Sequence, residues 1–460
     1  MDFSDKFYSK RRSIISECKD FLKEIFRDFI SKHIKQFAIT AETSKQISKV
    51  IKLSEAKKKF LESKVSFLAK KRKIKFYLQI SKSEIFELTI DNVENLNCEL
   101  ALLKLLMAIF NANILKLLEE YKNGDDLDHS YSQIIEQTIL TFISPNDYQV
   151  SKKILSVFKS WLSKTYEGNP VDFCIGVINK DKNETFNNDF FNFLNSKYSA
   201  TISSPNSAIL LCDTNGKFVK YSSFKENSCS FSLPDDCKDL IQSTSKKYNV
   251  SLYFILTKTK EIYVINSKAE LKALYRSNKW QYISSNSFYY LLYKCINKLG
   301  YNNTIPEEMH NNDFFNKIFS VTIDASLKRG GAILALIKDD KTFIEKENIN
   351  NEDNLLIPSD SIKKSIVLSM LESNKENSFI NTPNNTLCEL LSMDGCTCVS
   401  NKNRNVIVSG LILNNVQQVN GQGGRGAAAC ALSKYGPSLK ISEDGAITLY
   451  YKEKTIYELK

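Results

Sequence analysis

Proline and glycine are scarce over the first third of the sequence. The first 144 residues contain no proline and a single glycine, Gly124. Apolar residues there recur at helical spacing, as at Leu102, Leu105 and Ile109. Because proline and glycine interrupt helices, their scarcity favours long helices in this part of the chain. Residues 75–90 instead alternate with the two-residue period of strands, which predicts a short hairpin.

Long apolar runs and secretion signals are also missing. The longest apolar stretch, 100–118, is broken by Lys104, Asn111, Asn113 and Lys116. It therefore falls short of the ~20 uninterrupted apolar residues that span a bilayer. The first twelve residues lack the apolar segment of a secretory signal peptide. These absences predict a cytoplasmic protein.

Metal-binding and disulfide patterns are absent as well. The 11 cysteines include no C-x-x-C pair, and the three histidines, His33, His129 and His310, lie far apart. In the expected compartment this pattern predicts reduced, mostly buried thiols and no zinc site built on histidine.

The net charge of +11 comes from 63 lysines and arginines against 52 acidic residues, with basic clusters at 57–59 and 70–73. No nucleic-acid-binding motif accompanies this charge, which favours a solvated basic surface. A basic scaffold that binds nucleic acid through 1–165 is an alternative function, and the least favoured. Salt-dependent binding by that region would reveal it.

The pattern along the 460 residues predicts three domains. Residues 1–165 are expected to be mainly helical. Residues 166–312 alternate short strands with short helices, which is typical of a small α+β sensor domain, and Asp213-Thr214-Asn215-Gly216 predicts a hairpin. Trp280 is expected to be a structural residue of a second hairpin. Residues 300–312 are expected to be a linker to a C-terminal domain at 313–460.

Glycine is concentrated in that last domain. Ten of the 15 glycines lie between Gly330 and Gly445, and four fall within 421–426. A glycine-rich turn followed by a helix presents backbone N–H groups and the positive end of the helix dipole, which suits a phosphate. Arg425 would add a charged, bidentate contact. On its own such a loop is equally compatible with a flexible connection.

Acidic residues flank the glycine-rich segment. Asp394 and Gly395 stand at the entry to a predicted strand, where a carboxylate can hold a divalent cation. Ser442 and Glu443 lie in an acidic turn between two further predicted strands. Each acidic residue alone is also compatible with an ordinary turn.

The order of these motifs resembles the diadenylate cyclase domain, which bacterial cyclic di-AMP synthases and DNA-integrity scanning proteins share. The four matching segments are Arg329-Gly330-Gly331-Ala332-Ile333-Leu334, Asp394-Gly395-Cys396, Gly423-Gly424-Arg425-Gly426-Ala427-Ala428-Ala429 and Ser442-Glu443-Asp444-Gly445. The resemblance covers 313–460, a third of the chain. It implies an α/β fold with a twisted mixed sheet flanked by helices.

The resemblance also implies an activity. Two ATP molecules would condense into cyclic di-AMP with release of pyrophosphate, each bound by one subunit of a homodimer or higher even oligomer. Asp394 would bind Mg²⁺ or Mn²⁺ and help to activate the attacking hydroxyl, Gly395 would admit the nucleotide, and Arg425 would stabilise phosphate charge. The residues placed near phosphates or metal are Gly423, Gly424, Gly426, Ser442 and Glu443. The N-terminal regions would regulate this reaction.

The chain departs from the family at three places. The family's Arg-His-Arg is Arg425-Gly426-Ala427 in this sequence, and the loss of one preorganised charged donor commonly lowers a rate by about 10² to 10³. Cys396 replaces an alanine, and Met393 stands where the family usually has histidine. Two functions therefore stay open: a divergent cyclase, and a catalytically silent nucleotide or cyclic-dinucleotide sensor that signals to a partner. Metal-dependent turnover separates them.

Overall fold

The chain folds into helices and mixed β-sheets, so it is an α/β protein. The computed structural model describes residues 29, 40–41, 46–52, 65–68, 73–79, 84–90, 93–94, 100–166, 168–179, 190–196, 199, 208–223, 238–297, 312–350, 353–356, 361–371, 378–413 and 423–459. The chain divides into two compact units, Met1–Ile283 and Ser284–Lys460. Within the described ranges, no helix has both the length and the apolar character needed to cross a membrane.

Among its described residues, the first unit has six short strands between Thr40 and Glu94. They are β1 (Thr40–Ala41), β2 (Gln46–Lys52), β3 (Val65–Leu68), β4 (Lys73–Gln79), β5 (Glu84–Ile90) and β6 (Val93–Glu94). Strands β2, β5, β4 and β3 form an antiparallel sheet in that order, and β1 pairs with β6. The hairpin predicted at 75–90 is confirmed as the antiparallel pair β4 and β5.

The described residues of this unit also include three long helices, two shorter helices and a larger sheet. The long helices are α1 (Leu100–Lys122), α2 (Leu127–Ile143) and α3 (Tyr148–Leu162). The chain then forms β7 (Phe173–Ile178), α4 (Phe190–Asn195), β8 (Ala208–Asp213), β9 (Phe218–Ser223), α5 (Lys238–Tyr248), β10 (Val250–Leu256), β11 (Ile262–Asn266), β12 (Leu271–Arg276) and β13 (Lys279–Tyr282). The sheet order is β13-β12-β11-β10-β7-β8-β9, in which β7 and β8 run parallel and the other neighbours antiparallel.

The helices α1–α3 and the seven-stranded sheet share one apolar core. Phe158 and Trp161 of α3 lie against Phe173 of β7, with ring centroids 5.9 and 5.5 Å apart. Trp280 is buried in the β12–β13 hairpin, and its indole N–H donates to the Glu136 carboxylate of α2 at 2.7 Å. The boundary expected at 165 thus falls within one compact unit, and the division into three domains stays a prediction.

The second unit contains six helices and six strands among its described residues. They are α6 (Ser285–Asn297), α7 (Asp313–Lys328), β14 (Ala332–Ile337), α8 (Asp340–Lys346), α9 (Ile362–Met370), α10 (Asn384–Ser392), β15 (Cys396–Ser400), β16 (Val406–Leu411), α11 (Gly423–Leu432), β17 (Ser438–Ile441), β18 (Ile447–Tyr451) and β19 (Lys454–Leu459). The sheet order is β16-β15-β14-β17-β18-β19. Strands β14 and β15 are parallel, and the other pairs are antiparallel.

Helices cover both faces of this sheet. Strand β14 is buried along its whole length, as expected of a central strand between two helical layers. Helices α7 and α10 pack together on one face. On the other face, α11 packs over an apolar cluster that includes Ile333, Ala335 and Cys398. Helix α6, expected in the middle domain, packs against α7 within this unit.

Three sequence predictions concern residues outside the described ranges. They are the linker at 300–311, the glycine-rich residues 420–422, and the basic clusters at 57–59 and 70–72.

Candidate functional site

A cleft of about 800 Å³ lies at the start of α11 in the second unit. This volume is in the range of small-molecule sites. The lining residues are Ile333, Asp394, Gly395, Cys396, Leu411, Ile412, Leu413, Gly423, Gly424, Arg425, Ala428, Lys440, Ser442, Glu443 and Asp444. Seven of the eight candidate residues from the sequence are among them. The eighth, Gly426, is buried in α11 and does not line the cleft.

The first turn of α11 forms one wall of the cleft. Gly423 has a φ of +62°, in the left-handed region that favours glycine. Apart from its chain neighbours and its own helix backbone, a Cβ atom added at Gly423 or Gly424 would meet no atom of the described residues within 4 Å. The first N–H groups of an α-helix have no partner within the helix, and they carry the positive end of its dipole. This wall can therefore receive an anion.

Arg425 joins this wall to the acidic turn after β17. Its Nη1 donates to Oε1 of Glu443 at 2.6 Å. The side chains are 44% and 72% exposed, and exposed pairs of this kind contribute about 1 kcal/mol or less. The contact is therefore weak enough for an anionic ligand to take over the guanidinium.

Gly331 lies beneath this ion pair. Its φ is +50°, and an added Cβ would lie 2.7 Å from Nη1 of Arg425 and 3.1 Å from Cγ of Glu443. Gly331 belongs to one of the segments that carry the resemblance, but it is not among the predicted site residues. The Gly330-Gly331 pair directly before β14 is a signal of a close approach, but it does not reveal which side chain approaches.

Asp394 and Gly395 follow the end of α10. Asp394 is exposed at the cleft, and no hydrogen bond or ion pair joins its carboxylate to the described residues. Gly395 has a φ of +105°, and an added Cβ would lie 2.7 Å from the carbonyl oxygen of Leu411. Close packing against β16 is sufficient to require this glycine. The structure thus gives Gly395 a packing role besides its place in the lining.

The turn 442–446 connects β17 to β18. The Ser442 N–H donates to the carbonyl of Ala446, and the Gly445 N–H donates to the carbonyl of Ser442, both at 2.8 Å. The carboxylate of Asp444 accepts from the Ala446 N–H at 3.1 Å. These bonds hold Ser442 and Glu443 at the rim of the cleft.

The two positions at which the resemblance would place a histidine and a second arginine lie away from the cleft lining. Gly426 and Ala427 are buried and are not in its lining. The two differences from the family motif therefore do not change the residues that line the cleft.

Cys396 does line the cleft, at the start of β15. Burial raises the pKa of the neighbouring Cys398 thiol well above its ordinary value, and a hydrogen bond with Cys396 adds to this effect. Cys398 is therefore a poor thiolate donor. No cysteine in the described ranges forms a disulfide.

The charges in the cleft are mixed. Arg425 and Lys440 face three carboxylates, those of Asp394, Glu443 and Asp444. Among the described residues, no group of three or more histidine, cysteine or acidic side chains could by itself hold a metal ion. Asp394 nevertheless fits Mg²⁺ or Mn²⁺, because these ions are commonly held by one or two carboxylates together with substrate phosphates. A polyphosphate and a divalent cation would therefore complement this cleft together.

Sequence reasoning missed Lys440 and the apolar residues Leu411, Ile412 and Leu413, which also line the cleft. Their only sequence signal is their place at the ends of predicted strands.

No family model matches the sequence, and neither a curated protein nor a solved structure matches the chain.

Proposed function

We propose that the second unit is a diadenylate cyclase-like nucleotidyltransferase that condenses two ATP molecules into cyclic di-AMP and releases pyrophosphate. The observation that carries this proposal is that Asp394, the 423–425 turn and Glu443, which are distant in sequence, line one cleft. These are the segments whose order resembles the diadenylate cyclase domain. The cleft is large enough for a nucleotide and offers an anion-binding wall beside a carboxylate.

Each half-reaction forms one bond and breaks another. The ribose 3′-oxygen of one ATP attacks the α-phosphorus of the other, and the bond from that phosphorus to the bridging oxygen breaks, releasing pyrophosphate. Asp394 is suited to take the hydroxyl proton because its carboxylate has no partner among the described residues. Arg425 leaves Glu443 and binds the phosphate oxygens, where charge builds up in the transition state.

Asp394 would hold a divalent cation together with the phosphates of the substrate. When bound, Mg²⁺ or Mn²⁺ supplies Lewis-acid stabilisation of phosphate charge. The residues of the chain orient the nucleotide and receive the proton.

The reaction requires two copies of the cleft facing each other, because each ATP supplies the nucleophile for its neighbour. Catalysis then rests mainly on holding the 3′-oxygen in line with the α-phosphate. We therefore propose a homodimer or a higher even oligomer, formed through the second unit and regulated by the first.

A nucleotide or cyclic-dinucleotide sensor is the second candidate. The observation that favours it is that Glu443 already forms an ion pair with Arg425, the one arginine among the described residues of the cleft lining. A sensor would bind its ligand in the same cleft without turnover and signal to a partner.

Incubation of the full chain with ATP and Mn²⁺, followed by mass spectrometry, is expected to give cyclic di-AMP and pyrophosphate. Chelation of the metal should abolish product, because the carboxylates of the cleft outnumber its cations and oppose a bare triphosphate. ATP lacking the 3′-hydroxyl should bind without forming product. Binding of ATP or cyclic di-AMP with no turnover in Mn²⁺ or Mg²⁺ would favour the sensor, and absence of binding would refute both functions.

Gly424→Ala tests whether a ligand approaches the first turn of α11. The substitution should stabilise the fold slightly, by about 0.4–1 kcal/mol, because alanine favours the helix and the added Cβ meets no described atom within 4 Å outside its own helix and chain neighbours. Its methyl group would occupy the space in which a phosphate would bind, so ATP affinity should fall about tenfold. Thermal melting and ATP titration measure the two effects. Unchanged affinity would show that the nucleotide stays away from this turn.

A further inference from the structure

Lys440 lies on the face of the sheet that α11 covers. It pairs in register with Ile333 of β14, and paired residues of neighbouring strands share a face. Ile333 belongs to the apolar cluster beneath α11. Ser438, two residues before Lys440 and on the same face, donates through its hydroxyl to the carbonyl of Ala429 in α11. Lys440 is thus the next residue of β17 on this face, toward the cleft.

No carboxylate of the described residues lies within ion-pair distance of Lys440, although Asp394, Glu443 and Asp444 line the same cleft. The register partners of Lys440 are Ile333 and Thr448, and Ala428 of α11 also lines the cleft. Lys440 is half-buried, and no hydrogen bond or ion pair joins it to the part of the chain that the structure describes. A half-buried lysine can pack its aliphatic stem against apolar neighbours and keep its ammonium group in the open cleft, where it can meet an anion.

The other cation of the cleft differs in this respect. Arg425 is held by Glu443 at 2.6 Å, whereas neither Glu443 nor Asp444 comes within ion-pair distance of Lys440. Two side chains with different ion pairing therefore border one anion-binding space. Arg425 must leave Glu443 before it can bind an anion, whereas Lys440 can bind one directly.

We propose that Lys440 binds the phosphate chain of the nucleoside triphosphate and supplies a second cation beside Arg425. This inference rests on the proposed function, since it assumes that the cleft receives a nucleotide. Lysine acts on phosphate as a compact point charge, and the mobile ammonium can follow phosphate oxygens of different geometry. Lys440 thereby adds a second positive charge to the cleft that Arg425 lines.

Lys440→Met removes the charge and keeps an unbranched apolar stem. We expect about 10- to 100-fold weaker ATP binding, as for the loss of a hydrogen bond to a charged group. Lys440→Arg should restore most of the affinity. Binding of adenosine, followed by ligand-observed NMR, should be the same in all three proteins because adenosine has no phosphate. Lys341→Met is the matched control, because Lys341 is an exposed lysine of α8 outside the cleft.

Each result of these titrations decides the inference. Equal ATP affinity of wild type and Lys440→Met would overturn it and leave the proposed function intact. Equal losses of ATP and adenosine affinity would assign Lys440 a structural role and also overturn it. A wild-type protein that binds no ATP in Mg²⁺ or Mn²⁺ would refute the proposed function itself, and the inference with it.

Discussion

Replacing Asp394 with asparagine is expected to lower the rate of cyclic di-AMP formation by about 10² to 10³. The amide has nearly the same shape as the carboxylate but can neither hold a divalent cation firmly nor accept the hydroxyl proton. Because Asp394 is exposed and has no partner among the described residues, the melting temperature should not change. Product formation by mass spectrometry and thermal melting measure the two quantities.

Asp339→Asn is the matched control for this substitution. Asp339 is likewise an exposed aspartate of the second unit, but it caps α8, where it accepts from the N–H and hydroxyl groups of Thr342. The asparagine oxygen can still accept from the Thr342 N–H, and its amide N–H can donate to the Thr342 hydroxyl, so turnover and melting should match wild type. An Asp394→Asn protein that retained the wild-type rate would remove Asp394 from the mechanism and leave the cyclase proposal without its metal ligand.

Gly436→Ala should destabilise the second unit by at least about 3 kcal/mol. An added Cβ would lie 1.9 Å from the carbonyl oxygen of Leu336, far inside contact distance. The backbones around Leu336 and Gly436 cannot move apart without breaking the hydrogen bonds that join them. The Leu336 N–H donates to the carbonyl of Pro437 at 2.9 Å, and the Lys338 N–H donates to that of Tyr435 at 3.2 Å.

Hydrogen–deuterium exchange of β14 and β17 in the full chain would measure this loss as a lower free energy of local opening. Gly330→Ala is the control. A Cβ added there would meet its nearest atom, Cβ of Ser392, at an ordinary 3.5 Å, so exchange should change little. If β14 and β17 of Gly436→Ala exchanged as slowly as those of wild type, the two backbones would lie further apart than the structure indicates.

Local patterns in the sequence predicted many of the elements that build the cleft. The turn at 442–446 and the glycine-rich start of α11 both follow from spacing and composition. Helix α8 was not predicted, because seven residues are too few for a helical period to stand out.

Contacts between distant residues could not be predicted. Gly331 lies under Arg425, and Lys440 pairs with Ile333, yet neither relation follows from neighbouring residues. The same holds for the bond between Trp280 and Glu136 in the first unit. Strand order decides such contacts, and periodicity does not reveal strand order.

The central position of β14 has a consequence for the kinetics of folding. Its partners lie far along the chain: Leu334 pairs with Thr397 of β15, and Ala335 pairs with Ser438 of β17. The β17–β18–β19 meander needs only short loops, whereas these two pairings must close long ones, which slows their formation. The cleft draws residues from both sides of β14, so it forms only after the slowest pairings are complete. A ligand that binds in the cleft stabilises only the fully assembled sheet. Ligand binding therefore lowers the population of every partly folded state.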